Sequence, residues 1–432
     1  MHLLRYCGQQ NDRTQYLFLY LEIFNAEEAM AQKTETARYD FDTIIDRHHT
    51  DCLKYDFGME RKGRTDLLPL WVADMDFRLP EEVLLDLKAR IDHGIFGYTD
   101  PKEGYFEALN HWFRKHYHYT VEPGWVTVGP GVVYGLATCV RAFTKPGDAI
   151  LIQQPVYYPF GEVIQDNGRQ LVNSQLKLQA GHYQIDFDDF ERKIEEYKVK
   201  LYLLCNPHNP AGRVWTREEL TRIGDICLKH DVLIVSDEIH CDFIYPGHEF
   251  HSFLTMDPKY RSHLCVLHSP SKTFNIAGLQ VANAIIPDET LRARYKKENA
   301  AAGYSQANVL GLTALESVYT RGEEWYQELL SYINGNLSFV RAYLTEHLPE
   351  LKLIEPEGTY LLWIDFSGLG LSETGLQELI TDKAKLWLDS GSIFGPQTAQ
   401  FERFNIACPR SIVKQAFEQL QEAVSELKRN RC

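Results

Sequence analysis

Lys272 stands in the stretch HSPSKTFNIAG, directly after an apolar run, flanked by Ser269 and Ser271 and followed by Gly278. A lysine serving only solubility needs no such company, so its amine is a candidate nucleophile or base. Asp237 closes a second apolar run, DVLIVSD, and offers a carboxylate. Asn209 in CNPHNPAG offers an amide, and Tyr157 in QQPVYYPF an aromatic ring. Gly131 in VGPGVV precedes Val132 and Val133, whose backbone N–H groups would open a helix and suit a phosphate. Each group alone has an ordinary explanation: a surface cation, a helix cap, a proline-rich turn or a tight turn. Together they meet the needs of one cofactor, pyridoxal phosphate. Lys272 would face its aldehyde, and Asp237 would keep its pyridine nitrogen protonated. Asn209 would donate to its phenolic oxygen, and Tyr157 would stack on its ring. Ser269, Ser271 and the amides of Gly131, Val132 and Val133 would hold its phosphate.

Such a site needs elements that bring these groups to one rim. Beyond residue 120 short β-branched runs (WVTVG, AILIQQP, KLYLLCNP, DVLIVSDE, LCVLHSP, VANAIIP) alternate with helical stretches such as Arg217–Lys229. That alternation predicts an α/β fold with a mostly parallel central sheet and helices on both faces. In open sheets of this kind ligands gather at the carboxyl ends of the strands, where the candidate groups fall. A long helix is expected around 311–345. After it come strand TYLLWIDF, a helix over 372–388, strand RFNIACP and a helix over Ser411–Lys428, which together read as a smaller α+β domain. The expected organisation is an N-terminal extension at 1–34, an arm at 35–80, a large domain at 81–319 and a small domain at 320–432.

The bulk composition agrees with an enzyme of small molecules. The 432 residues carry a formal net charge of -15, which argues against a nucleic-acid partner. Nine cysteines without CxxC pairs read as reduced thiols in a cytoplasmic protein. The apolar run YLFLYLEIF at 16–24 is interrupted by Glu22 and is too short to span a membrane. It reads as an added amphipathic segment, or as an upstream extension with the native chain beginning at Met30. No metal site is expected.

The motifs NPHNPAGRVW, VSDEIH and SPSKTFNIAG occur in the order found in the class I/II aminotransferases of pyridoxal phosphate fold type I, which the sequence resembles over residues 38–428. Segments DLLPLWVADMDF (Asp66–Phe77), FGYTDP, PEGTYLLWIDF and ACPRS, with His240 after Asp237, resemble the C–S β-lyase branch, often called cystathionine β-lyase-like. The resemblance implies the transferase fold and a homodimer with shared sites. It makes Lys272, Asp237 and Tyr98 catalytic, Tyr98 by reaching the cofactor phosphate of the neighbouring subunit. His240 joins the cofactor-binding set, and Arg403, Ala73 and Tyr157 become substrate-binding, with Arg403 clamping the α-carboxylate of an amino acid. The segment 66–77 is expected as a loop over the site, because its two aspartates disfavour a buried strand. Two departures stand out. Gln280 occupies the place of a phosphate-binding arginine, and PQTAQFERFN lacks the glycines expected before the Arg403 strand. The implied activity is β-elimination from an S-substituted cysteine, giving a thiol, pyruvate and ammonia. Transamination is the alternative, and a non-enzymatic regulator on the same fold is a third possibility.

Overall fold

The computed structural model describes residues 38–431, and the apolar run at 16–24 lies outside them. Phe41–Cys432 forms one compact unit. Its main sheet has seven strands: β1 Val126–Gly129, β2 Ala149–Ile152, β3 Gln170–Asn173, β4 Leu201–Cys205, β5 Leu233–Asp237, β6 Leu264–His268 and β7 Ala282–Ile285. The spatial order is β1-β7-β6-β5-β4-β2-β3. Only β7 runs antiparallel to its neighbours, β1 and β6. The remaining pairs are parallel.

Strands β2, β4, β6 and β7 are buried at every residue. A strand with no exposed side must be covered on both faces, which accounts for their near-continuous apolar sequences. Helices α1 (Glu81–Asp92) and α2 (Glu103–Tyr117) precede β1, and α3 (Val132–Phe143) follows it. Val132, Leu136, Cys139, Val140 and Phe143 of α3 recur at helical spacing and join Ile150, Leu203, Val235 and Leu267 in one core. Leu136 is fully buried there, and burying such a side chain contributes about 2 kcal/mol. Helix α4 (Arg217–Lys229) starts where the sequence predicts, because Thr216 and Glu219 form a reciprocal capping box.

The later part of the chain differs from expectation in two places. The long helix near 311–345 is two helices, α5 (Val309–Arg321) and α6 (Glu323–His347), broken at Gly322. A Cβ at 322 would lie 2.4 Å from the Phe274 ring and 2.5 Å from the Val318 carbonyl oxygen, so the break is packed tight. The helix expected over 372–388 ends at Lys383. Lys385 adopts a left-handed φ of 56°, and Leu386–Trp387 instead pairs in parallel with Leu68–Pro69. A second, antiparallel sheet of β8 (Lys352–Ile354), β9 (Leu361–Asp365), β10 (Asp389–Ser390) and β11 (Phe401–Asn405) is ordered β8-β9-β11-β10. Helix α7 (Arg410–Arg431) covers it, with Phe417 stacked 5.3 Å from Phe404. Among the described residues no helix is long and apolar enough to cross a membrane. The seven described cysteines are all buried and free of disulfides.

Candidate active site

The loop after β6 presents Lys272 toward a buried backbone segment. Ser269 fastens the loop: its hydroxyl donates to the Val281 carbonyl at 2.7 Å and accepts from the Ser271 amide at 3.1 Å. That single hydroxyl proton is committed to the loop, which leaves half-buried Ser271 as the freer of the two hydroxyls. Lys272 Nζ donates to the Ala73 carbonyl at 2.5 Å, and the Tyr360 hydroxyl donates to the same oxygen at 2.9 Å. Burial lowers the Lys272 amine to about 8; carboxylates of Asp74 and Asp237 oppose the shift and Arg403 adds to it.

Asp237 ends β5 and is buried, accepting a hydrogen bond from the Ile239 amide at 3.1 Å. Burial raises its carboxyl to about 7, opposed by that amide and by Lys272. Among the described residues it has no direct salt-bridge partner, Lys272 acting on it only from beyond ion-pair distance, so its charge is incompletely compensated. A protonated pyridine nitrogen would supply the missing cation. His240 is also buried, and its Nδ1 has no partner among the described residues. Burial, with Lys272 and Arg403 nearby, holds its imidazole neutral. At the start of α3 no side chain caps the helix, and a Cβ on Gly131 would meet no atom within 4 Å. Open space therefore faces the uncapped amides of Val132 and Val133, as a bound phosphate needs. These observations fit the cofactor expected from the sequence.

Arg403, on β11, is buried and lies over the Phe394 ring at 4.9 Å. Its Nη1 donates to Asn209 Oδ1 at 3.0 Å, and Nη2 donates to the Trp71 carbonyl at 2.8 Å and to Asp389. With its oxygen on Arg403, Asn209 keeps its amide N–H groups for another acceptor. The Asn209 carbonyl accepts from the Tyr157 amide at 2.9 Å, which ties Tyr157 to the same corner. Tyr157, Tyr158, Trp71, Trp387 and Asp389 line a cavity of about 730 Å³. Within this chain Tyr98 lies apart from the cluster: it is 94% exposed, between α1 and α2. Gln280 is exposed in a left-handed turn, φ 52°. The loop before β11 closes without extra glycines near 398, because Thr398 Oγ1 lies 2.8 Å from the carbonyls of both Gly391 and Gly395 and shares its one proton between them.

The segment 66–77 is both packed and site-facing. Leu70, Trp71, Met75 and Phe77 are buried, as is Asp76. Asp76 pairs with Lys54 at 2.8 Å and Arg47 at 2.6 Å, while Asp74 pairs with Arg47 at 2.7 Å. Burial alone would raise the Asp76 carboxyl, but the two cations hold it below its ordinary value. Asn275 brackets Met75, accepting from its amide at 2.9 Å and donating to its carbonyl at 2.8 Å. Asn405 donates to the carbonyls of Val72 and Asp74, both at 2.6 Å. Lys54, Arg47, Asn275, Tyr360, Asn405 and Asp389 were missed in the sequence. The two aspartates inside an apolar segment were the one signal that buried cations had to be near.

A buried, cation-deficient carboxylate beside an amine of lowered pKa, at the strand ends of an α/β sheet, defines an enzyme that works through an electron-accepting cofactor. The chain belongs to the class I and II aminotransferase family, whose model matches residues 65–420. Its fold is that of the pyridoxal phosphate-dependent transferases, as the sequence implied. It is 41% identical over 385 residues to cystathionine β-lyase PatB of Bacillus subtilis, covering 89% of this chain and 100% of that protein. Cystalysin of Treponema denticola, solved with pyridoxal 5'-phosphate, superposes with a TM-score of 0.88 at 37% identity, over 90% of this chain and 100% of cystalysin. The pyridoxal phosphate-bound C–S lyase of Staphylococcus hominis gives a TM-score of 0.84 at 34% identity, over 90% and 99% of the two chains.

Proposed function

We propose that this protein is a pyridoxal phosphate-dependent carbon–sulfur β-lyase that converts an S-substituted cysteine, such as cystathionine, and one water into a thiol, pyruvate and ammonia. The observation that carries the choice over transamination is the hydrogen bond from Lys272 Nζ to the Ala73 carbonyl. It places the segment on which the lyase resemblance rests against the reactive amine. Identity supports the same side among the curated relatives: those named as cystathionine β-lyases stand at 29–41% and those named as aminotransferases at 24% and 23%, while one solved chain at 39% is named a putative aminotransferase.

When bound, the cofactor supplies an electron-accepting ring that stabilises negative charge at the substrate α-carbon. Asp237 holds a proton on the ring nitrogen, which preserves that capacity. Asn209 would offer its amide to the phenolic oxygen, and His240 and Tyr157 would help hold the ring. Ser271 and the amides of Gly131, Val132 and Val133 receive the phosphate, with Ser269 keeping their loop in place. Arg403 grips the α-carboxylate and so turns the Cβ–S bond toward the direction from which it breaks. Lys272 takes the α-proton onto Nζ. The Trp71–Phe77 segment excludes water above it. Tyr98 completes the phosphate site of a second copy in a homodimer, and residues 81–319 and 320–432 act as large and small domains about the site.

The deciding experiment supplies cystathionine to the purified holoenzyme and measures pyruvate and free thiol with no keto acid present. Steady release of both is expected. A strict requirement for a keto acid, with one amino group transferred per turnover, would assign the protein as an aminotransferase instead.

The amine also sets a pH dependence. Only neutral Lys272 can add to an aldehyde, and its pKa is lowered from 10.5 to about 8. The rate at which the cofactor-free chain captures pyridoxal phosphate should rise with pH through about 8 and then level. Stopped-flow absorbance would follow it; a rate still climbing above pH 10 would mean that the amine is not desolvated.

A further inference from the structure

A guanidinium has five N–H donors, and Arg403 has already committed those needed for a two-point grip on a carboxylate. Both hydrogens of Nη2 are used, one by the Trp71 carbonyl and one by Asp389. Nη1 serves Asn209, while Nε is buried with no partner among the described residues. Two parallel hydrogen bonds to a carboxylate use either the Nε–Nη2 edge or the Nη1–Nη2 edge, and each includes Nη2. One present occupant of Nη2 must therefore yield before a second carboxylate can be held in this way.

The two occupants are not equally free to move. Trp71 belongs to a backbone segment fixed by Asn405 and by the paired bonds between Asn275 and Met75. Asp389 is a side chain on the two-residue strand β10, directly opposite Arg403 in the antiparallel register. It also lines the cavity of about 730 Å³ beside Tyr157, Trp71 and Trp387, so its carboxylate has room to turn away. Burial raises the Asp389 carboxyl even with Arg403 beside it, so the site solvates that charge poorly.

We propose that Asp389 is an internal carboxylate that occupies Arg403 until the substrate's α-carboxylate replaces it, and so sets affinity for amino acids. This rests on the assignment of Arg403 as the carboxylate clamp. Asp389 is a specificity-determining residue that acts through Arg403. Its displaced charge stays at the cavity wall and disfavours substrates that place a net negative group there, whereas a zwitterionic end such as that of cystathionine carries its own compensating ammonium.

The test is an absorbance titration of the holoenzyme with L-alanine, which has the α-carboxylate but no β-substituent to lose. Asp389→Asn replaces an ionic competitor with a neutral one and should tighten L-alanine binding about tenfold. L-alaninamide, lacking the carboxylate, should gain nothing. In turnover the KM for an S-substituted cysteine should fall more than kcat changes. Unchanged or weaker L-alanine binding in Asp389→Asn, with Arg403→Gln weaker than both, would overturn the proposal while leaving the clamp intact. Wild-type affinity in Arg403→Gln would remove the clamp itself and the proposal with it. The wild-type enzyme solved with L-alanine bound gives an independent check should Asp389→Asn fail to fold. Asp389 should lie beyond about 3.5 Å from Nη2; an intact Asp389–Arg403 pair with the ligand carboxylate on Arg403 would overturn the proposal.

Discussion

Alanine at position 272 is expected to lower turnover by about three orders of magnitude, the size of effect that losing a positioned base produces. The physical ground is the environment of the amine. Burial brings Lys272 to about 8, and its one hydrogen bond among the described residues is to a backbone carbonyl, so at pH 7 about a tenth is uncharged and able to accept a proton, against far less for an ordinary lysine. Alanine supplies neither a base nor an amine for the cofactor's aldehyde, so the cofactor should be removable by gel filtration from this variant and not from the wild type. The fold should survive, since the substitution removes a charge that burial disfavours and leaves Ala73 bonded to Tyr360. Near-normal pyruvate production by a folded Lys272→Ala protein would end the assignment.

Asparagine at position 237 should separate activity from stability. Turnover should fall by two or more orders of magnitude, because a neutral amide cannot hold a proton on the ring nitrogen. The cofactor-free protein should respond in the opposite sense. The Asp237 carboxyl has an ordinary value of 3.8 and burial raises it to about 7. The unfolded chain releases this proton from about pH 4 upward, whereas the folded chain keeps it until about 7. The group therefore takes stability away progressively across that window, and the whole penalty is present above pH 7. Asparagine removes it, so at pH 8 the variant should unfold at higher denaturant, by up to about 4 kcal/mol in stability. Glu238, raised from 4.5 to about 7 by burial and in smaller part by Asp237, adds a pH dependence of the same sign in both proteins, and the substitution lowers it slightly. Lower stability of the cofactor-free variant at pH 8, with turnover intact, would show that Asp237 is merely structural.

The chemistry of the site was legible in the sequence wherever a polar residue closed an apolar run. Lys272, Asp237 and Asn209 could be placed together because the runs before them had to be buried strands, whose carboxyl ends meet at one rim. Arg403 was visible only through resemblance, since an arginine in a short strand has no periodic signature. Asp389 was invisible for a different reason. It faces Arg403 through the antiparallel register of β10 and β11, and cross-strand register is a long-range property that a two-residue strand does not announce. The contact of Ala73 with Lys272 is made by a backbone oxygen, which every residue has. The helix expected over 372–388 failed at Lys385, a residue of good helix propensity that tertiary pairing of Leu386–Trp387 forces into a left-handed turn.

The joint at Gly322 bears on how this sequence can change over time. Phe274, two residues past Lys272, fills the space that any side chain at 322 would need, and its ring stacks 5.8 Å from Trp325 at the head of α6. Positions 274 and 322 therefore cannot drift separately. A lineage that trades glycine for a larger residue must accept a smaller one at 274 and also shift the Val318 carbonyl, and the first of these loosens the loop carrying the reactive amine. The route to an unbroken helix is closed by the chemistry it would disturb.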